Sequence, residues 1–538
     1  MTSGGPIAII GSGINGLVAG ALLAKAGRGV VVFERAARPG GLVATEPLTL
    51  PGYLHDTFSS WHGTFLGGPA WPLLAAELRG RGLRWRSAED VVTATVRRDG
   101  GAVLLHRDPE RTAAGLPPGD GRAYLAELAR IRALAPHLGG VLNHDPRSPA
   151  AARALLGVAR TVGLPGIKEF VRDALSSGHG WASRRFAGGD VDALLAPWLL
   201  HAGLSPGGAT GGVAGMLMLS GLHRAGLPVL EGGAGRLAEA LRGVIEDHGG
   251  EVRVDAEVTR VATRGRRVGG VVAAGRFFAA RRVMASVTPR ALYDVLLAGA
   301  PAVPARVRAE ASRFRHGRAA MQIHLALTEP LAWRRAELRA VPLVHLCDGG
   351  AGVALACAEA EAGLLPAQPT IVVGQQYVLD PSRVPPGGAA LWIQLQEVPR
   401  HPTGDAADRA EVLDGWTPEL VERYAGRVLD RIDAHAPGLR ARIAAMAVLP
   451  PAELERRDVN LVDGDPYGGA TDLDQNLLWR PLGSTRSHRT PVKGLWHIGA
   501  STHPGPGLSG ASGYAAAADL LGGPHRLRAA LRGRPPRA

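Results

Sequence analysis

Gly11, Gly13 and Gly16 stand in the spacing G-x-G-x-x-G between the apolar run "IAII" and the alanine-rich "INGLVAGALLAKAG". Placed between a strand and a helix, that spacing is the mark of a dinucleotide cradle. The first glycine permits a tight turn, the second lets the backbone approach a pyrophosphate, and the third lets helix and strand pack closely. The helix N-terminus then offers free N–H groups to the anion. A second apolar run, "GVVVFE", ends in Glu34, 18 residues beyond Gly16. A carboxylate at that point accepts hydrogen bonds from both ribose hydroxyls and repels a 2′-phosphate. Gly40 and Gly41 follow in "RAARPGG", where a Gly-Gly pair lets a second loop approach the same dinucleotide. No other G-x-G-x-x-G lies between a strand and a helix. One tightly held dinucleotide is therefore expected, and FAD in an extended form fits better than NAD.

The far end of the chain repeats the unit. "GLWHIGASTHPGPGLSGASGYAAAADLL" (494–521) again reads as an apolar strand, a glycine-rich turn and an alanine-rich helix. A chain that builds this unit at both ends is expected to hold one ligand with both.

Together with "ERAARPGG" and the internal "VLEGGAGRLAEAL", these stretches resemble the phytoene-desaturase-like FAD oxidoreductases of the flavin amine oxidase superfamily. More narrowly they are similar to the phytoene-dehydrogenase-related branch that includes a carotenoid ketolase type. "HRDPERTAAGL", "APWLLHAGLSP" and "GGATDLDQNLLWRPLGSTRSHRTPVKGLW" match in type and order, though more loosely. The resemblance implies an α/β fold: a discontinuous, Rossmann-like FAD-binding domain of the glutathione-reductase/amine-oxidase type, with a mixed α+β substrate domain. Residues 1–95, 228–290 and 490–522 would build the first. A helical cap (96–227) and a sheet-rich part (291–489) would build the second, with a basic tail at 523–538. The resemblance also assigns cofactor contacts to Glu34 with Arg35, to Val258, to Gly499 and Ala500 near the ribityl–phosphate chain, and to Gly510, Ala511 and Ser512 near the pyrimidine edge. A helix N-terminus there stabilises negative charge on the reduced ring. Many FAD enzymes carry Asp where Ala500 stands; the phytoene-desaturase type often does not.

The chemistry expected is hydride removal from carbon, on a small lipophilic substrate such as an isoprenoid, a carotenoid or another polyene. If a base is needed, His503 at the flavin turn is the first candidate, since an unperturbed imidazole titrates near neutrality. His201 in "WLLHAGL" and His55 in "PGYLHDTFSSWHG" follow, with Asp56, Trp61, His62, Trp198 and Tyr514 nearby in sequence. At each histidine a hydrogen-bonded structural role is the alternative, and the resemblance also allows a mechanism with no protein base. Amine or alcohol oxidation, ketolase chemistry, flavin-dependent isomerisation and non-catalytic flavin binding remain open.

The elements that must position these residues read as follows. The stretch 250–286 alternates apolar and polar residues between turn signals, so short strands are expected. "AAMQIHLAL", "TIVVGQQYVL" and "AALWIQLQEV" read as strands, and "VERYAGRVLDRIDAHA" has helical spacing. Pro and Gly clusters at 115–121 and 381–388 suggest surface loops. "ALLGVARTVGLPGIKEFV" and "GVAGMLMLSGLHRAGLPVL" are apolar: either core, or a tunnel or membrane-docking face for a poorly soluble substrate.

Composition excludes several other classes. At 538 residues more than one domain is expected. The net charge of +13 comes from scattered arginine, only three of the 61 basic residues being lysine, and few aromatics interleave, so nucleic acid is not expected as a partner. The acid-free tail carries Arg526, Arg528, Arg532, Arg534 and Arg537; it reads as a frayed terminus, with contact to anionic lipid the alternative. Two cysteines, no basic-then-apolar leader and no long apolar span suggest a cytoplasmic chain, peripheral at most to a membrane. HExxH, CxxC and GxSxG are absent, so neither a metal site nor a serine-hydrolase elbow is expected. Oligomeric state is left open.

Overall fold

The computed structural model describes residues 5–532. At its centre lies a five-stranded parallel sheet drawn from both ends and the middle of the chain. Its order is Leu495–Ile498, Arg282–Ser286, Ile7–Ile10, Val30–Phe33, Glu251–Arg253. Ile7 lies opposite Arg282 on one side and Val30 on the other. The strands at 7–10 and 30–33 are buried at every position, as strands covered on both faces must be. One face packs on the helices Ile14–Lys25, Gly235–Asp247 and Ala511–Leu520, through Ile9, Leu17, Leu241 and Ala517. Ala8, Ile10 and Val283 on the other face meet the antiparallel sheet Val258–Arg264, Arg267–Ala273, Arg276–Ala279 and the turn carrying Tyr293.

A second, mixed sheet has seven strands, in the order Ile443–Leu449, Ala319–Leu327, Ala389–Val398, Ile371–Gly374, Leu343–Leu346, Val91–Val96, Ala102–His106. Its two faces are chemically unlike. Met321, Ile323, Leu325, Ile393 and Leu395 pack on Leu420, Tyr424 and Val428 of the helix Pro418–His435. Strand alternation sends Gln322, His324, Gln394 and Gln396 to the opposite face. Over that face lie the cap helices, including Pro118–Asn143, Pro149–Leu175, Asp190–Leu200 and Gly211–Ala225, whose Trp198, Met216 and Leu219 join Leu343, Val372 and Trp392 in one cluster. The second of these helices breaks at Gly163, where φ is +69°, two residues before Pro165.

The structure departs from the sequence reading at four places. The cut at residue 95 falls inside Val91–Val96, which pairs in parallel with Leu343–Leu346, so the hairpin 91–106 is part of the second sheet. The Pro/Gly cluster at 115–121 starts a helix: Pro118 occupies its first position, where the missing N–H costs nothing. In the cluster at 381–388, Arg383 is buried rather than at the surface, held by Asp56 and Asp380. The tail is not frayed from 523: Pro524–Arg532 is a helix anchored by buried Leu527 in the core of the parallel sheet. Arg534 and Arg537 lie outside the described residues.

Candidate functional site

The C-terminal ends of three parallel strands converge on Ser286. A Cβ on Gly11 (φ +86°) would lie 3.1 Å from the Ser286 carbonyl, and one on Gly499 (φ +111°) 3.2 Å from its Oγ. Both turns are thus drawn tight around one strand end, where α/β sheets bind ligands. The two helices that follow lie side by side. Gly513 N–H donates to Asn15 Oδ1 at 3.2 Å, and any side chain on Gly513 would collide with the Asn15 carbonyl. A Cβ on Gly510, in left-handed conformation, would press on Val18. The first helix N-terminus has no side-chain cap and leaves its N–H groups for an anion; at the second, Asn15 Oδ1 takes Gly513 N–H and Ser509 Oγ takes Ala511 N–H, which leaves Ser512 N–H.

The glycines divide by role. A Cβ on Gly16 would sit 2.1 Å from the Gly11 carbonyl, so this glycine is required for packing. Around Gly13 nothing lies within 4 Å of such an atom, so the space over this turn is open. Gly40 and Gly41 (φ +125° and +55°) bring the second loop onto the first: Gly40 N–H donates to the Ser12 carbonyl at 3.2 Å, and a Gly41 Cβ would lie 3.3 Å from Gly13 Cα.

Glu34 is buried at the end of its strand. Its Oε2 accepts from Ser12 N–H at 2.9 Å and Ser12 Oγ at 2.6 Å, and its Oε1 from Ala36 N–H at 2.9 Å. Oε1, with one bond, keeps acceptor capacity for a ribose hydroxyl. Arg35 beside it is exposed. Val258 is buried, and Ala256 N–H donates to the Glu34 carbonyl at 2.8 Å, which pins this segment beside the acid. Open space over Gly13, free N–H groups at the helix ends and a fixed acid fit a bound dinucleotide. Ala500 and Ala511 present backbone at the C-terminal turn. Ser512 does not point its side chain outward: its Oγ accepts from Gly499 N–H at 3.0 Å and bonds Thr502 Oγ1 at 2.7 Å and His488 Nε2 at 3.1 Å, which locks the turn to the helix.

The three candidate bases fall in different places. His503 is buried on the loop after Ala500, facing Asp145 and the carbonyls of Val141, Leu142 and His144. Burial pushes its pKa down, and neither ring nitrogen has a partner among the described residues. A buried polar group left this way calls for a ligand or water. His201 stacks on Trp198 at 4.7 Å and meets His345 Nε2-to-Nε2 at 3.1 Å. Burial lowers His201 to about 4 and holds His345 well below its ordinary value, so both are neutral, one donating and the other accepting. His55 is engaged by Thr49 Oγ1 at 2.8 Å, packs edge-on to His324, and is lowered to about 4 chiefly by burial. His201, with both ring nitrogens engaged by His345 and Gln396, has the least freedom of the three to act.

The neighbouring residues hold the frame. Asp56 pairs with Arg383 at 2.7 Å and accepts from Ser60 Oγ, from Thr45 Oγ1 at 2.7 Å and from Ala234 N–H at 2.8 Å. Burial opposes its ionisation, but the Arg383 charge and these hydrogen bonds outweigh burial and keep the acid ionised. This cross-link holds residues 55–62 over the second sheet, where the Phe58 carbonyl accepts from Gln322 Nε2 at 3.2 Å and Trp392 Nε1 at 3.0 Å. His62 is fully buried with both nitrogens unpartnered, and burial lowers it to about 4.

Sequence reasoning missed the polar floor. Register places Gln322 opposite Gln394, Gln394 opposite Val372, and Val372 opposite His345, a row running from beneath Phe58 to beneath His201. Gln396 reaches His201 Nδ1 at 3.4 Å. The signal was present as polar residues at alternate positions in otherwise apolar strands: Q-x-H in "MQIHL" and Q-x-Q in "IQLQE". Asp458 and Asn460 were missed too. Asn460 Nδ2 donates to the Ser286 carbonyl at 3.4 Å, and Asp458 Oδ2 borders Gly41, with no pattern in sequence to mark either.

Comparison with known proteins agrees with this geometry. The mouse pyridine nucleotide-disulfide oxidoreductase domain-containing protein 2 is 26% identical, over 95% of this chain and 92% of its own. A zeta-carotene-forming phytoene desaturase of Myxococcus xanthus is also 26% identical, over 94% and 92%. Among solved structures, cyclohexylamine oxidase from Brevibacterium oxydans superimposes with a TM-score of 0.58 at 17% identity, covering 96% of this chain and 98% of that one. The model of the flavin-containing amine oxidoreductases matches residues 14–521. With both glycine turns, the ribose acid and the paired helices described above, the chain belongs to the flavin-containing amine oxidoreductase family and is an FAD-dependent oxidoreductase.

Proposed function

We propose that this enzyme dehydrogenates a lipophilic substrate, an isoprenoid or other polyene, at a carbon–carbon bond. The observation that carries the reading is the cap. Trp61, Leu204, Val213, Leu217 and Met218 remain partly buried at the edge of the apolar cluster that roofs the second sheet, where they would bind hydrocarbon and exclude water. The outer helices bear exposed Leu155, Leu156, Leu164, Val171 and Leu175, with Leu164 87% exposed at the Gly163 break. Arg153, Arg160 and Lys168 lie among them, a surface suited to receiving substrate from anionic lipid. Among the described residues no helix is long and apolar enough to cross a membrane. The relatives named as phytoene desaturases favour the same class.

Bound FAD supplies the hydride acceptor. Segments 5–90, 228–290 and 490–522 would hold it, and the cap would orient the substrate. Burial keeps His503 neutral, so its one unprotonated ring nitrogen would accept the proton that leaves the carbon next to the one giving up hydride. Reoxidation falls to oxygen or a quinone.

The polar floor supports a second reading, oxidation of an amine or alcohol, or ketolase chemistry. Gln322, His324, Gln394 and His345 would hydrogen-bond a substrate nitrogen or oxygen. Anaerobic titration separates the two. Under the first reading a polyene delivered in anionic vesicles bleaches the flavin while alkylamines and alcohols do not. Bleaching by an amine or alcohol, with none by polyenes, would establish the second.

A further inference from the structure

Arg480 is 2% exposed, yet among the described residues no carboxylate lies within ion-pair distance of it. Its donors go to backbone carbonyls: Nε and Nη2 to Ala500 at 3.2 and 2.8 Å, Nη1 to Ala470 at 3.1 Å, and Nη2 also to Tyr467 at 3.0 Å and Gly468 at 3.4 Å. The nearest opposing charge is Asp465, whose field reaches the guanidinium without offsetting its burial. It accepts from Tyr467 N–H at 2.8 Å, Gly469 N–H at 2.7 Å and Gly317 N–H at 3.1 Å, and meets His316 Nδ1 at 3.3 Å. Burial accordingly pulls the guanidinium down to about 10.

Carbonyl dipoles solvate a guanidinium but do not cancel its charge, and burying an uncompensated ion is costly. The location makes the excess more pronounced. Ala500 belongs to the turn that Ser512 ties to the N-terminus of Ala511–Leu520, and that helix end is itself positive. A Cβ on Gly505 would lie 3.5 Å from Arg480 Nε, so the loop carrying His503 wraps the cation. Positive potential therefore gathers at one cofactor turn, with Asp465 alone opposing it and no carboxylate within ion-pair distance among the described residues. A purely structural clamp on three carbonyl-bearing segments does not need a charge.

Building on the FAD assignment, we propose that Arg480 is a fixed, buried counter-charge for the negative charge of the bound flavin dinucleotide. That charge has two sources, the diphosphate and the ring once it is reduced. A cation facing the diphosphate strengthens binding of oxidised and reduced cofactor alike. A cation facing the ring favours the reduced form and raises the midpoint potential.

The test compares the parent holoenzyme with Arg480→Gln and Arg480→Lys, measuring FAD dissociation and the two-electron midpoint potential. Parent protein that held no FAD would remove the cofactor assignment itself. With FAD bound to the parent, Arg480→Gln is expected either to bind FAD at least tenfold more weakly, which assigns the diphosphate, or to lower the potential by at least about 30 mV, a tenfold loss of preference for the reduced form, which assigns the ring. Arg480→Lys, which keeps the charge but cannot span the same carbonyls, is expected to stay close to the parent in whichever quantity moved. The proposal is overturned if Arg480→Gln matches the parent in both quantities. It is equally overturned if Arg480→Lys falls as far as Arg480→Gln, by loss of flavin or of fold, because the residue would then be a hydrogen-bonding clamp.

Discussion

Gly13 and Gly16 share a motif but answer to different constraints, and substitution separates them. A side chain on Gly13 enters open space, whereas one on Gly16 strikes the Gly11 carbonyl. Gly13→Trp is expected to leave the melting temperature of the flavin-free protein unchanged while abolishing flavin retention. Gly16→Ala is expected to cost about 1–3 kcal/mol of stability, the scale of an overpacked core, before any effect on binding. Thermal melts of the flavin-free proteins, with flavin content measured alongside, check both; a Gly13→Trp protein with full flavin occupancy would contradict the cradle. At this scale the glycines and Glu34 were legible because their constraints are local, within a turn or a strand end. The locking role of the Ser512 side chain was not legible, since its partners Gly499, Thr502 and His488 are fixed by tertiary folding. Arg480 went unnoticed among many arginines, because a buried one has no mark in sequence.

Strands and helices were legible where periodicity was strong, as in Ala389–Val398 and Pro418–His435. The hairpin 91–106 was misassigned because alternation identifies a strand without naming its sheet. The floor of the second sheet has a consequence for stability. His324 is fully buried and lowered to about 3, and His55 and His62 to about 4, with burial the leading cause in each. Unfolded imidazoles titrate near 6.5, so below that pH the unfolded chain binds protons that the folded chain refuses. The stability these residues permit is complete above about pH 6.5 and falls as pH drops toward 4. Each tenfold weakening of a histidine's proton affinity on folding contributes about 1.4 kcal/mol to that fall. The melting temperature is expected to fall steadily from pH 7 to pH 5, less steeply in His324→Leu. A melting temperature constant over that range would show that these rings charge freely in place.

For the whole molecule, two distant chain ends build one site. The parallel sheet sets Ile7–Ile10 and Leu495–Ile498 on either side of Arg282–Ser286, and Asn15 with Gly513 seals the helices that follow. That convergence was legible because the same strand–turn–helix unit occurs twice. What the cap and floor select was not, since it depends on which faces of many elements meet. The most direct test of the two-ended cofactor site is the visible spectrum of the purified full chain, with the released cofactor identified. Bound FAD at one per chain is the expected result. A colourless protein that takes up no added FAD would contradict it.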